Sequence, residues 1–171
     1  MKIKYLIPLL FTTIVTFAQF STSFDVARKG KLSDIKLIFE KDKNIVNAID
    51  EKGSSMLILA CYRGNHEVAQ FLIDNGASLN YVSNNGTALM ACVVKNESEL
   101  VDELLNKKTN LDLTDANGVT ALMYAVQLKN IQMVKKLINS GANATLKCKQ
   151  NKTAFEYAVF SNNEEIINLL K

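Results

Sequence analysis

Apolar side chains return along this chain in short bursts, each opened by a hydroxyl residue. Ser55, Thr87, Thr120 and Thr153 are the openers, spaced 32, 33 and 33 residues apart. Leu57, Leu89, Leu122 and Phe155 follow them by two positions, Ala60, Cys92, Ala125 and Ala158 by five, and Leu72, Leu104, Leu137 and Leu170 by seventeen. A Ser or Thr ahead of a short apolar run accepts a hydrogen bond from an orphan N–H at a helix start. The pattern therefore predicts a first helix after each opener, with Thr153 and Glu156 forming a capping box. These helices are expected to stop at Gly64, Asn96 and Asn162, residues that tolerate the left-handed conformation of a helix end. Lys129 holds the fourth such place and does not fit, so the stop there is expected to shift to Asn130. Second helices are expected from Glu67 to Asn75, Ser98 to Lys107, Ile131 to Ser140 and Glu164 to Leu170.

The connectors Asn80 to Gly86, Asp112 to Gly118 and Thr145 to Asn151 are rich in Asn, Asp and Gly, which is turn chemistry. Helix pairs recurring at this period describe an all-α repeat solenoid. The T-x-L-x-x-A core, with Gly76-Ala77 and Gly141-Ala142, resembles the ankyrin repeat. The resemblance covers residues 24–171. It implies an ankyrin-like stack of about five helix-pair units, near 24–49, 50–81, 82–114, 115–147 and 148–171, with hairpin-like loops projecting as fingers. Asp-x-x-Gly stands intact at Asp50 to Gly53 and Asp115 to Gly118. Val82 and Asn85 replace it in the third unit and Cys148 and Asn151 in the fifth, so those two fingers are expected to be irregular. The family's His that ties neighbouring fingers is replaced by Ile58, Met90, Met123 and Glu156, which implies looser fingers. The first unit is degenerate: Gly30 matches Gly64, but the opener is missing, as terminal units of such arrays often are atypical.

Ahead of the repeats, Lys2 and Lys4 precede a largely apolar run from Tyr5 to Phe17, and Thr16-Phe17-Ala18 offers small residues for cleavage. This is the pattern of a secretory signal peptide over residues 1–18, followed by a short linker at 19–23. As a helix the run from Tyr5 to Ala18 would reach about 21 Å, short of the roughly 30 Å hydrocarbon core. Export to a periplasm or beyond the cell, after cleavage near Ala18, is the expectation. A scaffold tethered to a membrane by an uncleaved segment is the alternative. Without Lys2 and Lys4 the formal charge of +3 falls to +1.

No catalytic constellation stands out in the sequence. The single histidine, His66, falls at the start of a second helix, where capping or exposure is its ordinary role. Cys61, Cys92 and Cys148 have no C-x-x-C spacing, so neither metal nor cofactor is expected. Cys61 and Cys92 sit at neighbouring small-residue places, as packed thiols or, after export, as a bridge between adjacent repeats. Cys148, on a finger, is the better candidate for a reactive thiol. Glycines mark repeat turns and form no phosphate loop. The expected function is non-catalytic.

What remains is a surface. In ankyrin proteins partners usually meet the finger tips and the inner face of the first helices. Carried over position by position, that strip holds Arg28, Lys29, Lys52, Arg63, Lys95, Lys107, Lys149 and Lys152 against Glu51 alone, with Tyr62, Val94, Leu128 and Phe160 among them. The second helices carry Asp34, Glu67, Glu97, Glu99, Asp102, Glu103, Glu164 and Glu165. The expectation is a basic concave face that binds an acidic protein surface. Charge would set the encounter rate and the apolar and aromatic groups the residence time. An antagonist or accessory of a co-exported enzyme or toxin fits this reading. Nucleic acid is not the expected partner, because export conflicts with it.

Overall fold

The computed structural model describes residues 23–171. The expected leader over 1–18 lies outside the described residues. So does the linker at 19–23, except for Ser23, which is already helical. Among the described residues ten α-helices form five pairs: α1 (residues 23–29) with α2 (Leu32–Lys41), α3 (Met56–Arg63) with α4 (His66–Asp74), α5 (Ala88–Lys95) with α6 (Ser98–Asn106), α7 (Ala121–Gln127) with α8 (Ile131–Asn139), and α9 (Ala154–Phe160) with α10 (Glu164–Leu169). A 3-10 turn, Lys43–Asn47, follows α2. The second helices end one residue earlier than their spacing predicts, and α4 starts one earlier, at His66.

The openers do what their chemistry predicts. Ser55, Thr87, Thr120 and Thr153 each accept through the side chain from a backbone N–H three residues on, at 3.2, 3.3, 3.2 and 3.2 Å. The capping box closes where Thr153 N–H donates to Glu156. That bond, then the one from the Thr153 hydroxyl, holds the Glu156 carboxyl below the usual carboxylate range. At the other end of the first helices, Gly64, Asn96 and Asn162 take positive φ of 65°, 59° and 51°. The shift expected at Lys129 does not occur. Lys129 itself adopts φ 56°, with its N–H on the Val126 carbonyl. Asn130 is needed elsewhere: its carbonyl oxygen caps α8 by accepting from Met133 N, and its amide donates to Asn96. Gly30 matches Gly64 in position only. It is absent from the positive-φ residues, and a Cβ there would lie 2.6 Å from Val26 Cα, so close helix contact is what demands glycine.

The first helices stack on one another, α3 on α5, α5 on α7 and α7 on α9, with the second helices as an outer row. The periodic apolar positions form the core between them. Ala60, Cys92, Ala125 and Ala158 are fully buried, as are Leu72, Leu104 and Leu137. Small residues at the first set let adjacent helices approach; leucines at the second fill the space between rows. In the last described unit the equivalents open to solvent: Phe155 and Leu170 are half-buried and Val159 is exposed. Glu164, Glu165 and Asn168 face water.

Side-chain ladders cross every joint between units. Asn65 donates to the carbonyls of Val26, Ala27 and Gly30, tying the first unit to the second. Asn47, Asn80 and Asp112 each accept from a backbone N–H of the next unit, at Ser78, Asn110 and Asn143. Along the outer row, His66 meets Glu97, Gln70 meets Glu103, Lys107 meets Asp74, Lys136 meets Asp102 and Lys135 meets Glu165. His66 thus bridges two units. The acidic outer row is therefore largely paired within itself, Lys135 and Lys136 having joined it.

Candidate concave interaction site

The fingers are turns without strands among the described residues. Only isolated bridges, Ile49 with Ser55 and Ser83 with Gly86, are present. In the intact fingers the Asp carboxylate organises the turn. Asp115 accepts from the N–H groups of Asn117 and Val119 at 2.8 and 2.9 Å and from the Tyr124 hydroxyl at 2.7 Å. Asp50 accepts from Lys52 N and Ser54 N in the same way, and from Arg28 at 2.9 Å.

Of the two fingers expected to be irregular, one is. The third unit lacks one residue in its finger, and Ser83 makes a shorter turn with Gly86, its hydroxyl accepting from Asn85 N and donating to Gly86 O. Gly86 has φ 96°, and a Cβ there would collide with the Met90 sulfur. The fifth finger keeps the regular path. Asn151 takes φ 57° where the others have glycine, and Cys148 N bonds Lys152 O as Asp115 N bonds Val119 O. Cys148 replaces the carboxylate: its thiol meets Gln150 Oε1 at 3.1 Å and the Tyr157 hydroxyl at 3.3 Å.

Cys148 is only 4% exposed, which makes it a turn-organising group rather than the open, reactive thiol its finger position predicts. Burial acts to raise its pKa. The Tyr157 hydroxyl and the N–H groups of Lys152 and Gln150 outweigh that and hold the thiol below its ordinary value. Tyr124 and Tyr157 are both pushed up to about 12. Burial is the main cause at Tyr124, followed by its bond to Asp115; the bond to Cys148 is the main cause at Tyr157. Cys61 and Cys92 are free, buried thiols, with no bridge. The hydrogen bond between them, then burial, raises the Cys92 thiol.

Adjacent fingers are also tied, despite the missing histidines. Tyr81 donates its hydroxyl to Gly53 O at 3.0 Å, Ala116 N donates to Asn84 O at 3.4 Å and Lys149 N to Asn117 O at 2.9 Å. Main-chain bonds and one phenol replace the imidazole.

Between the fingers and the first helices lies an open groove of about 550 Å³. It brings together Arg28, Lys52, Tyr62, Arg63 and Val94 from the predicted strip. Lys95 joins them, its ammonium 4.2 Å from the centre of the Tyr62 ring, with Arg63 at 5.9 Å. Lys152 and Phe160 form a second group on the last unit, the ammonium 5.0 Å from a ring that is 82% exposed. Lys29, Leu128 and Lys149 are exposed and belong to neither group. Lys107 belongs to the outer row, 3.2 Å from Asp74 and 3.8 Å from Glu103. Bonds from Gln70 and then Lys107 hold the Asp74 carboxyl below the usual range.

The charge count on the strip needs revision. Asp50 and Asp115 line the groove and were not among the expected groups. Arg28 is consumed by Asp50, whose side chain is 8% exposed. Lys52, Arg63 and Lys95 remain without an ion pair among the described residues. The Asp five places before Ser55 and Thr120, part of the intact Asp-x-x-Gly fingers, was the signal for these carboxylates.

Comparison with known proteins agrees with this architecture. A family profile described as ankyrin repeats (3 copies) matches residues 24–115 and 90–171. Among curated proteins, the chain is 41% identical over 62 residues to an acyl-CoA-binding domain-containing protein 6 homolog of Dictyostelium discoideum, covering 34% of this chain and 22% of that protein. It is 31% identical over 97 residues to the ankyrin repeat and SAM domain-containing protein 6 of Rattus norvegicus, covering 56% of this chain and 11% of the relative. The chain thus spans less than a quarter of either relative. With the profile extending over all five helix pairs, this chain belongs to the ankyrin repeat family, whose stacks serve as protein-interaction modules.

Proposed function

We propose that the chain is an exported, non-catalytic ankyrin stack that binds an acidic surface of another protein through its concave face. Antagonism or assistance of a co-exported enzyme or toxin is the role we assign to it. The observation that carries the reading is Tyr62, an exposed side chain lining the groove with Lys95 and Arg63 against its ring. An aromatic flanked by cations that have no carboxylate of their own is an anchor of the kind that concentrates interface energy. The cations would steer an acidic partner and make its arrival rate depend on salt. Export is supported by the basic start and apolar run of residues 1–18.

The test is capture of partners from the native host's envelope and culture medium, at low and at moderate salt. The wild-type chain, Arg63→Glu with Lys95→Glu, and Lys107→Glu serve as parallel baits. One protein retained stoichiometrically by the wild type and by Lys107→Glu, and lost by the double reversal, is the expected result. Retention unchanged by the double reversal at either salt would refute the role of this face. Sedimentation of the chain only with anionic vesicles would replace the reading with membrane tethering.

A further inference from the structure

Building on the protein-binding reading, we infer that the groove over the second and third units takes an extended peptide segment bearing both carboxylate and apolar side chains, rather than a folded surface. Size is the first argument. About 550 Å³ is the scale of a cleft for a small ligand or a few residues, inside the roughly 300–1,000 Å³ typical of such sites. A folded domain presses on a flatter, wider area.

The second argument is the set of groups left unused. Asn84, Asn85 and Asn117 line the groove from the fingers, and their backbone atoms are engaged in the turns. Their side-chain amides make no hydrogen bond among the described residues. Each offers an acceptor and two donors, the complement of a peptide unit's N–H and C=O. An extended chain exposes such units along its length; a helix has spent them internally.

The third argument is charge against apolarity. Met90, Val94 and the Tyr62 ring give an apolar floor and inner wall. Lys52 on a finger and Arg63 and Lys95 at the helix ends stand on the rims. The carboxylates beneath are already occupied: Asp50 by Arg28 and two N–H groups, Asp115 by two N–H groups and a phenol. The rims therefore lack anions. In an extended segment successive side chains point to opposite sides, so apolar residues can face the floor while carboxylates in other positions reach the rims.

The experiment is fluorescence anisotropy on the purified chain with a labelled decapeptide alternating Glu with Val or Tyr. Controls are the same peptide with Gln for every Glu, and inorganic polyphosphate as competitor. Saturable binding is expected, weakened about tenfold or more by Tyr62→Ala and by Arg63→Glu with Lys95→Glu. Asn84→Ala with Asn117→Ala should weaken it several-fold, and Lys107→Glu should leave it unchanged. Far-ultraviolet circular dichroism confirms that each variant is folded. Equal binding of the Gln peptide, or polyphosphate binding without peptide binding, would overturn the inference. If the peptide fails while a folded partner is retained by the wild-type chain and lost by the double reversal, this inference falls and the protein-binding reading stands. If both fail, both fall.

Discussion

Asp115 is where one substitution probes the finger, the groove and the stack at once. The residue is 7% exposed, and its carboxylate accepts three hydrogen bonds, from Asn117 N, Val119 N and the Tyr124 hydroxyl. Asp115→Ala removes all three acceptors, but the three donors do not lose equally. Asn117 is exposed and its N–H can turn to water; Tyr124 is half-buried and its hydroxyl partly can. Val119 is 6% exposed, and its N–H is left stranded. One buried donor without a partner costs about 1–3 kcal/mol, and lost bonds to a charged acceptor add to that. The expected loss is about 2–4 kcal/mol. The fifth unit supplies its own control, since Cys148 holds the equivalent place with its sulfur toward Tyr157 and the N–H groups of Gln150 and Lys152. Asp115→Cys should therefore recover about half of the loss. Urea unfolding followed by circular dichroism measures both. A loss below about 1 kcal/mol for Asp115→Ala, or a Cys variant no better than Ala, would refute the assignment of the carboxylate as the organiser of the turn.

Four further outcomes are expected. Phenolate absorbance should show two late-titrating tyrosines near 12, removed singly by Tyr124→Phe and Tyr157→Phe; titration of all tyrosines at the ordinary pKa near 10 would contradict this. Because these folded pKa values are raised, the stability the two tyrosines contribute is fully present below pH 10 and is lost as pH rises toward 12, so the part of alkaline destabilisation that Tyr124→Phe and Tyr157→Phe remove should fall in that window. Lys129→Gly should stabilise the chain by about 0.5–1 kcal/mol, the strain of a left-handed lysine exceeding the entropy cost of glycine, and a lowered urea midpoint would count against it. Leu104→Ala should cost about 3–5 kcal/mol, as a fully buried side chain between the helix rows, while Phe160→Ala, at 82% exposure, should leave the midpoint unmoved.

The parts of the fold that follow from local chemistry were legible in the sequence. A hydroxyl accepts the third N–H of a helix whether or not neighbouring units are known, so Ser55, Thr87, Thr120 and Thr153 located four first helices. The small-residue and leucine columns follow from the same phase. Lys129 was misread because propensity weighs only the residue itself. With Asn130 committed to capping α8 and to Asn96, the chain must turn at 129 and pays the strain of a left-handed lysine. Of the site, the residue types on the concave strip were readable, but their pairing was not. Arg28 to Asp50 and Lys107 to Asp74 join residues 22 and 33 apart, across units.

The departures from the family pattern bear on what the stack is built to do. Its fingers lack the imidazole tie, yet the last three joints are bridged near the fingers, by Tyr81, by Ala116 with Asn84 and by Lys149 with Asn117, and the first three at the loops, by Asn47, Asn80 and Asp112. A nearest-neighbour array draws its stability from such interface terms. Ties through main-chain atoms, the Tyr81 phenol and loop side chains leave Tyr62, Lys52, Arg63 and Lys95 on the concave face without an inter-unit hydrogen bond or ion pair among the described residues. Tyr62, Lys52, Arg63 and Lys95 are therefore the positions at which the sequence can be changed with least cost to the stack. Substitutions there should move binding with little effect on stability, whereas substitutions at Asp50 and Asp115, beneath the same groove, should move both. A urea midpoint for Tyr62→Ala lowered as far as that of Asp115→Ala would show that the groove side chains help to hold the stack together, and the separation of binding from folding would fail.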